Sequence, residues 1–143
     1  MSANPQPVAS DRSARVLHAA LTGVLLLGSA ALAGIRQSTG AAPLKVGSLL
    51  EFVIAAVAVA ALGLSLLVRL GFEGREADET ARLWWGESGR VPRAVVIWAL
   101  AQAGGLIGAT LYFLTGNWPI AGGLVVVAFL SLFFFSPGRL AGD

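Results

Sequence analysis

Three side chains in this sequence set a reactive or polar group inside or beside an apolar stretch: His18, Glu51 and Gln102. Each opens a chemistry. A carboxylate such as Glu51 can carry a proton or a cation, a histidine can bind a metal or move a proton, and an amide such as Gln102 can line a polar path. Each also has a plainer reading. Glu51 lies about one turn inside its apolar run, where it can reach headgroups or pair with Lys45 or Arg36. His18 is the single histidine, so it cannot supply both axial ligands of a haem, and no second metal ligand lies near it in sequence. It reads as an interfacial residue. Gln102 sits near the middle of its run, where lipid offers no partner and the amide is expected to hydrogen-bond across a helix seam.

Nothing else in the sequence forms a catalytic set, because no histidine is paired with a nucleophile and there is no phosphate-binding loop. Glu73, Glu76, Asp78 and Glu79 are interleaved with arginine, as on a solvated helix surface. The absence of cysteine excludes disulfides, thiolate zinc sites and iron–sulfur ligation. No cofactor or metal is therefore expected. Ten Lys and Arg against eight acids leave a net charge of only +2, which is no footprint for nucleic acid.

The elements that must position these residues are four apolar stretches, at 16–35, 46–68, 94–114 and 118–135. Three reach about 20 residues, enough at ~1.5 Å per residue to span a hydrocarbon core of ~30 Å; the fourth is slightly short. Charged residues make up 13% of the 143, against about a quarter in soluble domains. The expected fold class is all-α: a polytopic membrane protein with a bundle of four transmembrane helices over 16–135. A flexible arm at 1–15, a connection at 69–93 and a tail at 136–143 complete it.

Charge gives these spans a direction. Arg12, Arg15, Arg69, Arg75, Arg82, Arg90, Arg93 and Arg139 fall on one side, and only Arg36 and Lys45 on the other. The positive-inside rule then puts both termini and the 69–93 connection in the cytoplasm. Nine of the ten basic residues are arginine, and Ala, Gly and Leu abound, a composition that points to a bacterial protein and hence to the inner membrane. Arg12, Arg15 and Ala31-Leu32-Ala33 also read as a cleavable signal peptide, but the run to Ile35 is longer than an ordinary signal core, which favours a retained span.

Within the long connection, residues 75–85 are expected to form a short interfacial helix, supported by the i,i+4 pairs Arg75/Glu79 and Asp78/Arg82. Trp84 and Trp85 at its end, and Trp118 at the start of the fourth span, are candidate headgroup anchors. Thr115-Gly116-Asn117 and Pro119 make a tight turn, so the last two spans are expected to be antiparallel neighbours. On a 3.6-residue period Gln102 shares a face with Trp98, Gly105, Ala109 and Tyr112, and Gly104 and Gly108 flank it in a GxxxG arrangement. Gln102, Gly104, Gly105 and Gly108 are thus the expected packing seam.

The segment from Ile97 to Gly108, Ile-Trp-Ala-Leu-Ala-Gln-Ala-Gly-Gly-Leu-Ile-Gly, followed by Tyr112-Phe113-Leu114-Thr115-Gly116-Asn117, resembles a pattern in small uncharacterised four-span bacterial membrane proteins. Over some 20 residues it is also similar to the ion-binding helix of ATP synthase proteolipid (c-type) subunits. That second resemblance implies an ion-binding carboxylate near Gln102, where this sequence has an amide that cannot cycle a proton. It also implies a glycine-dense first helix and termini outside the cytoplasm, and the sequence departs from both. Small multidrug exporters share the number of spans, but that resemblance would require an acid in the first span, and none is there.

These readings lead to a non-enzymatic accessory or structural subunit of a larger membrane complex, its partners being membrane lipids and other membrane subunits in a homo- or hetero-oligomer. The alternative is a small oligomeric transporter or channel-like protein whose proton or cation pathway uses Glu51 or Gln102.

Overall fold

The computed structural model of the chain describes residues 6–40, 47–71, 85 and 89–141. Among the described residues the regular structure is all helical: α1 (Gln6–Thr39), α2 (Ser48–Leu70), α3 (Arg90–Thr115), α4 (Trp118–Phe134) and the short α5 (Pro137–Ala141). The helix expected over 75–85 lies outside the described residues except for Trp85, which is helical.

The first helix differs from the expectation. Residues 6–15, read from sequence as part of a flexible arm, are the opening turns of α1. Pro7 falls in the first turn, where a backbone N–H has no intrahelical acceptor to lose. No proline follows in the helix, and the first glycine after it is Gly23. Arg15 Nε donates to Asp11 Oδ1 at 3.2 Å one turn away, an exposed pair that also favours helix. The tail differs as well. Residues 137–141 turn into α5 and pack back on α1, with Leu140 and Ala141 buried.

Glycines end the long helices where the backbone turns left-handed. Gly116, at φ +74°, closes α3 with its N–H donating to the Tyr112 carbonyl at 2.8 Å. Pro119 then sits in the first turn of α4.

The helix at the centre is α3. Half of its most apolar window is buried, against 17% for α2 and 6% for α1. It packs along α1, α2 and α4, which touch one another far less. Cross-contacts set the directions: His18 of α1 lies beside Trp98, and Arg36 reaches Phe113, so α1 and α3 run parallel. Ser65 of α2 reaches Ile97 while Glu51 reaches Asn117, just beyond α3, so α2 is antiparallel. Trp118 meets Tyr112 and Phe135 meets Trp98, which makes α4 antiparallel too.

Three helices, Asp11–Thr39 within α1, α2 and α3, are long and apolar enough to cross a membrane, and α4 is a shorter apolar helix of 17 residues. At about 26 Å it stands at the lower limit for a span. The outer surface fits such a solvent, since Leu27 is 74% exposed and Phe52 71% exposed. These helices and their apolar exterior suggest a membrane-spanning protein.

Candidate functional site

The three glycines of α3 between them admit three neighbouring helices. A methyl group on Gly104 would lie 2.7 Å from Leu62 Cγ and 3.1 Å from the Ala58 carbonyl oxygen, both on α2. On Gly105 it would meet Leu25 Cδ1 of α1 at 2.6 Å and Ala128 Cβ of α4 at 2.7 Å. On Gly108 it would meet Leu124 Cβ at 2.7 Å and the Ala121 carbonyl oxygen at 3.2 Å, both on α4. Gly104 and Gly108 therefore do not line one seam. Together with Gly105 they let three helices close on α3 at once, because backbones without side chains can approach within van der Waals distance.

Gln102 is 9% exposed and makes no hydrogen bond among the described residues. The interhelical bond expected for it is not present. One turn before it, Trp98 meets His18 of α1 and Phe135; one turn after it, Gly105 meets Leu25 of α1 and Ala128 of α4. Gln102 thus occupies the part of α3 that faces α1 and α4. On α1, Thr22 lies between His18 and Leu25, and its Oγ1 is buried without a partner. Both polar groups fall in one layer of the α1/α3 seam. The layer of Leu25, Gly105 and Ala128, buried throughout, closes the seam next to it.

At the opposite end from His18, Glu51 and Arg36 both engage the α3–α4 turn, on different helices. Glu51 accepts a hydrogen bond from Asn117 Nδ2. It has no ion pair with Arg36, and Lys45 lies outside the described residues. Arg36 donates through Nη1 to the Phe113 carbonyl in the last turn of α3, where a cation also suits the helix dipole. Its guanidinium lies 5.6 Å from the centre of the Tyr112 ring, which meets Trp118 edge-to-face at 5.6 Å. Gly116 makes room for it, since a methyl there would lie 2.6 Å from Arg36 Nη2. Glu51 and Gln102 are not brought together.

The other end is a cluster of capped carbonyls. His18 Nε2 lies 2.9 Å from the Leu132 carbonyl oxygen, Trp98 Nε1 donates to the Phe135 carbonyl at 2.6 Å, and Ser65 Oγ donates to the Ile97 carbonyl at 2.9 Å. Trp85 is 1% exposed and packs on Trp98, with ring centres 6.4 Å apart, rather than lying open at the headgroup layer. Trp84 falls outside the described residues. Trp118 is 64% exposed at the head of α4.

Two apolar hollows open on the bundle surface. A crevice of 310 Å³ lies between α1 and α4 over a floor of Ala109 and Tyr112, with Ala33, Trp118 and Gly122 in its walls. Ser29 also lines it, and its Oγ is buried without a partner. A second, of 470 Å³, lies between α2 and α4, with Gly63 and Gly123 in its walls. Side chains added at Gly63 or Gly123 would meet nothing within 4 Å.

Arg36, Asn117 and Ser65 were not legible as site residues from sequence. A hydroxyl in an apolar run signals little, while an arginine directly after a span beside a turn of Gly116-Asn117 could have flagged the first two. Among the described residues no three His, Asp or Glu side chains come together as a metal-ligand set. Compared with protein-family models, with curated proteins and with solved structures, the chain finds no match in any of the three.

Proposed function

We propose that the chain is a non-enzymatic accessory or structural subunit of a larger bacterial inner-membrane complex, crossing the membrane four times with both termini in the cytoplasm. The observation that carries this reading is the α2/α4 groove. Its walls hold Gly63 and Gly123, which face open space. Glycine in a helix interior costs about 1 kcal/mol relative to alanine, and a lipid-facing surface gives nothing back. A transmembrane helix of a partner would, because small residues let it approach closely. A single partner helix is the occupant that fits.

The orientation rests on charge. Arg12, Arg15, Arg69, Arg90, Arg93 and Arg139 lie toward the His18 end of the bundle and Arg36 toward the other. Arg75 and Arg82, in the connection between α2 and α3, add to the first group.

Extraction in a mild detergent followed by mass spectrometry of co-eluting proteins tests the reading. A companion membrane protein at fixed stoichiometry is the expected result. A homo-oligomer with no companion would overturn it.

A further inference from the structure

We propose that the α1/α4 crevice is a binding site for an anionic phospholipid, with one acyl chain in the crevice and the phosphate on Arg36. The inference rests on the membrane-spanning reading above.

The hollow has the two-part chemistry of such a ligand. Its floor and walls are apolar: Leu26, Ala30, Ala33, Ala109, Val125 and Val126. That surface suits a hydrocarbon chain and offers a charged molecule nothing. Arg36 stands at its mouth, one turn beyond Ala33 on α1 and over the ring of Tyr112. The guanidinium is fixed by the Phe113 carbonyl, which uses Nη1. Its remaining N–H groups make no hydrogen bond, and it has no carboxylate within ion-pair distance, among the described residues. A planar cation held in place with free donors matches a phosphate.

The second hollow supplies the contrast. The α2/α4 groove is equally apolar, but the charged residue at the same end of α2 is Glu51, one turn before the wall residue Ala55. A carboxylate there repels a phosphate. Charge therefore assigns the anionic lipid to the α1/α4 crevice and leaves the other groove to a neutral occupant. The buried Ser29 Oγ gives the crevice a hydroxyl without a protein partner, two turns along α1 from Arg36.

The test is lipid retention by native mass spectrometry. Purified full-length protein is equilibrated with micelles carrying phosphatidylglycerol or phosphatidylcholine, with and without inorganic phosphate. Wild type is expected to retain one phosphatidylglycerol with a preference of about fivefold, the order expected for one partly exposed ion pair. Arg36→Gln should abolish the preference and Arg36→Lys keep most of it. Ala33→Phe should lower retention of both lipids by filling the crevice without removing the cation, which guards against misfolding of the arginine variants. Glu51→Gln should leave the preference unchanged.

Equal retention of the two lipids by wild type overturns the proposal. So does a rise in the preference with Glu51→Gln as large as the fall with Arg36→Gln, since net charge and not Arg36 would then govern. Displacement of the lipid by millimolar phosphate, with phosphate adducts on wild type and Ala33→Phe alike, would make the site one for free phosphate and overturn the lipid. Release of the protein from membranes by an alkaline carbonate wash would instead overturn the membrane-spanning reading, independently of lipid preference.

Discussion

His18 Nε2 lies 2.9 Å from the carbonyl oxygen of Leu132, in the last turn of α4. A carbonyl only accepts, so Nε2 carries the proton. The last four carbonyls of a helix have no intrahelical donors, and inside a membrane water does not replace them. Here Ser131 and Phe133 accept from the backbone N–H groups of Phe135 and Ser136, and neighbouring helices add two donors: His18 from α1 to Leu132, and Trp98 from α3 to Phe135 just past the helix. The edge-to-face contact of His18 and Trp98, with ring centres 5.1 Å apart, holds the two together. The residue read from sequence as interfacial thus ties α1 to the end of α4.

Replacing His18 by leucine should therefore destabilise the isolated chain by about 1 kcal/mol, the net worth of one such hydrogen bond. His18→Gln, whose amide can still donate, should recover part of the loss. Thermal unfolding in detergent, followed by circular dichroism, measures both. Identical midpoints for His18→Leu and wild type would show that the cap contributes nothing.

The glycines divide into two classes with opposite expectations. Gly108→Ala drives a methyl group against Leu124 Cβ and the Ala121 carbonyl, groups fixed to the α4 backbone, and should cost about 1–3 kcal/mol. Gly123→Ala meets open space and should leave the isolated chain unchanged or stabilise it by up to ~1 kcal/mol through helix propensity. The same melting experiment reads both. A Gly108→Ala protein as stable as wild type would remove the case for close packing at that position.

Gln102 carries a sharper expectation, because the residue is 9% exposed and its amide makes no hydrogen bond among the described residues. Gln102→Leu removes an unsatisfied polar group and keeps most of the volume, so stability should hold or rise by about 1 kcal/mol. A loss of comparable size would mean that the amide is paired in the working protein, and would favour a polar role for this layer.

The spans were legible because hydropathy is a property of composition: 94–114 became α3, running from Arg90 to Thr115, and 118–135 became α4, ending at Phe134. That α3 is the centre was not, since lipid and protein interiors are equally apolar and give one signal in sequence. The small residues at 104, 105 and 108 were legible as a place of close approach. Their division among three helices depends on where α1, α2 and α4 pack, which no local spacing encodes. Trp85 shows the same limit. Next to Trp84 it reads as a headgroup anchor, yet it turns onto Trp98, a choice made by tertiary packing. Arg36 entered the sequence reading as one charge in a count and as a possible partner for Glu51. Its role at the crevice follows from Tyr112, Phe113 and Gly116, more than seventy positions away, folding up beside it.

On the proposed function, the α2/α4 groove seats a helix of another membrane protein. The most direct measurement places a photo-crosslinking amino acid at Gly123 in cells and, as a control, at the lipid-facing Leu27, then identifies the adducts by mass spectrometry. One discrete adduct that contains a second membrane protein is expected from position 123, and none from position 27. Adducts at 123 with lipid alone, or only with another copy of this chain, would contradict it.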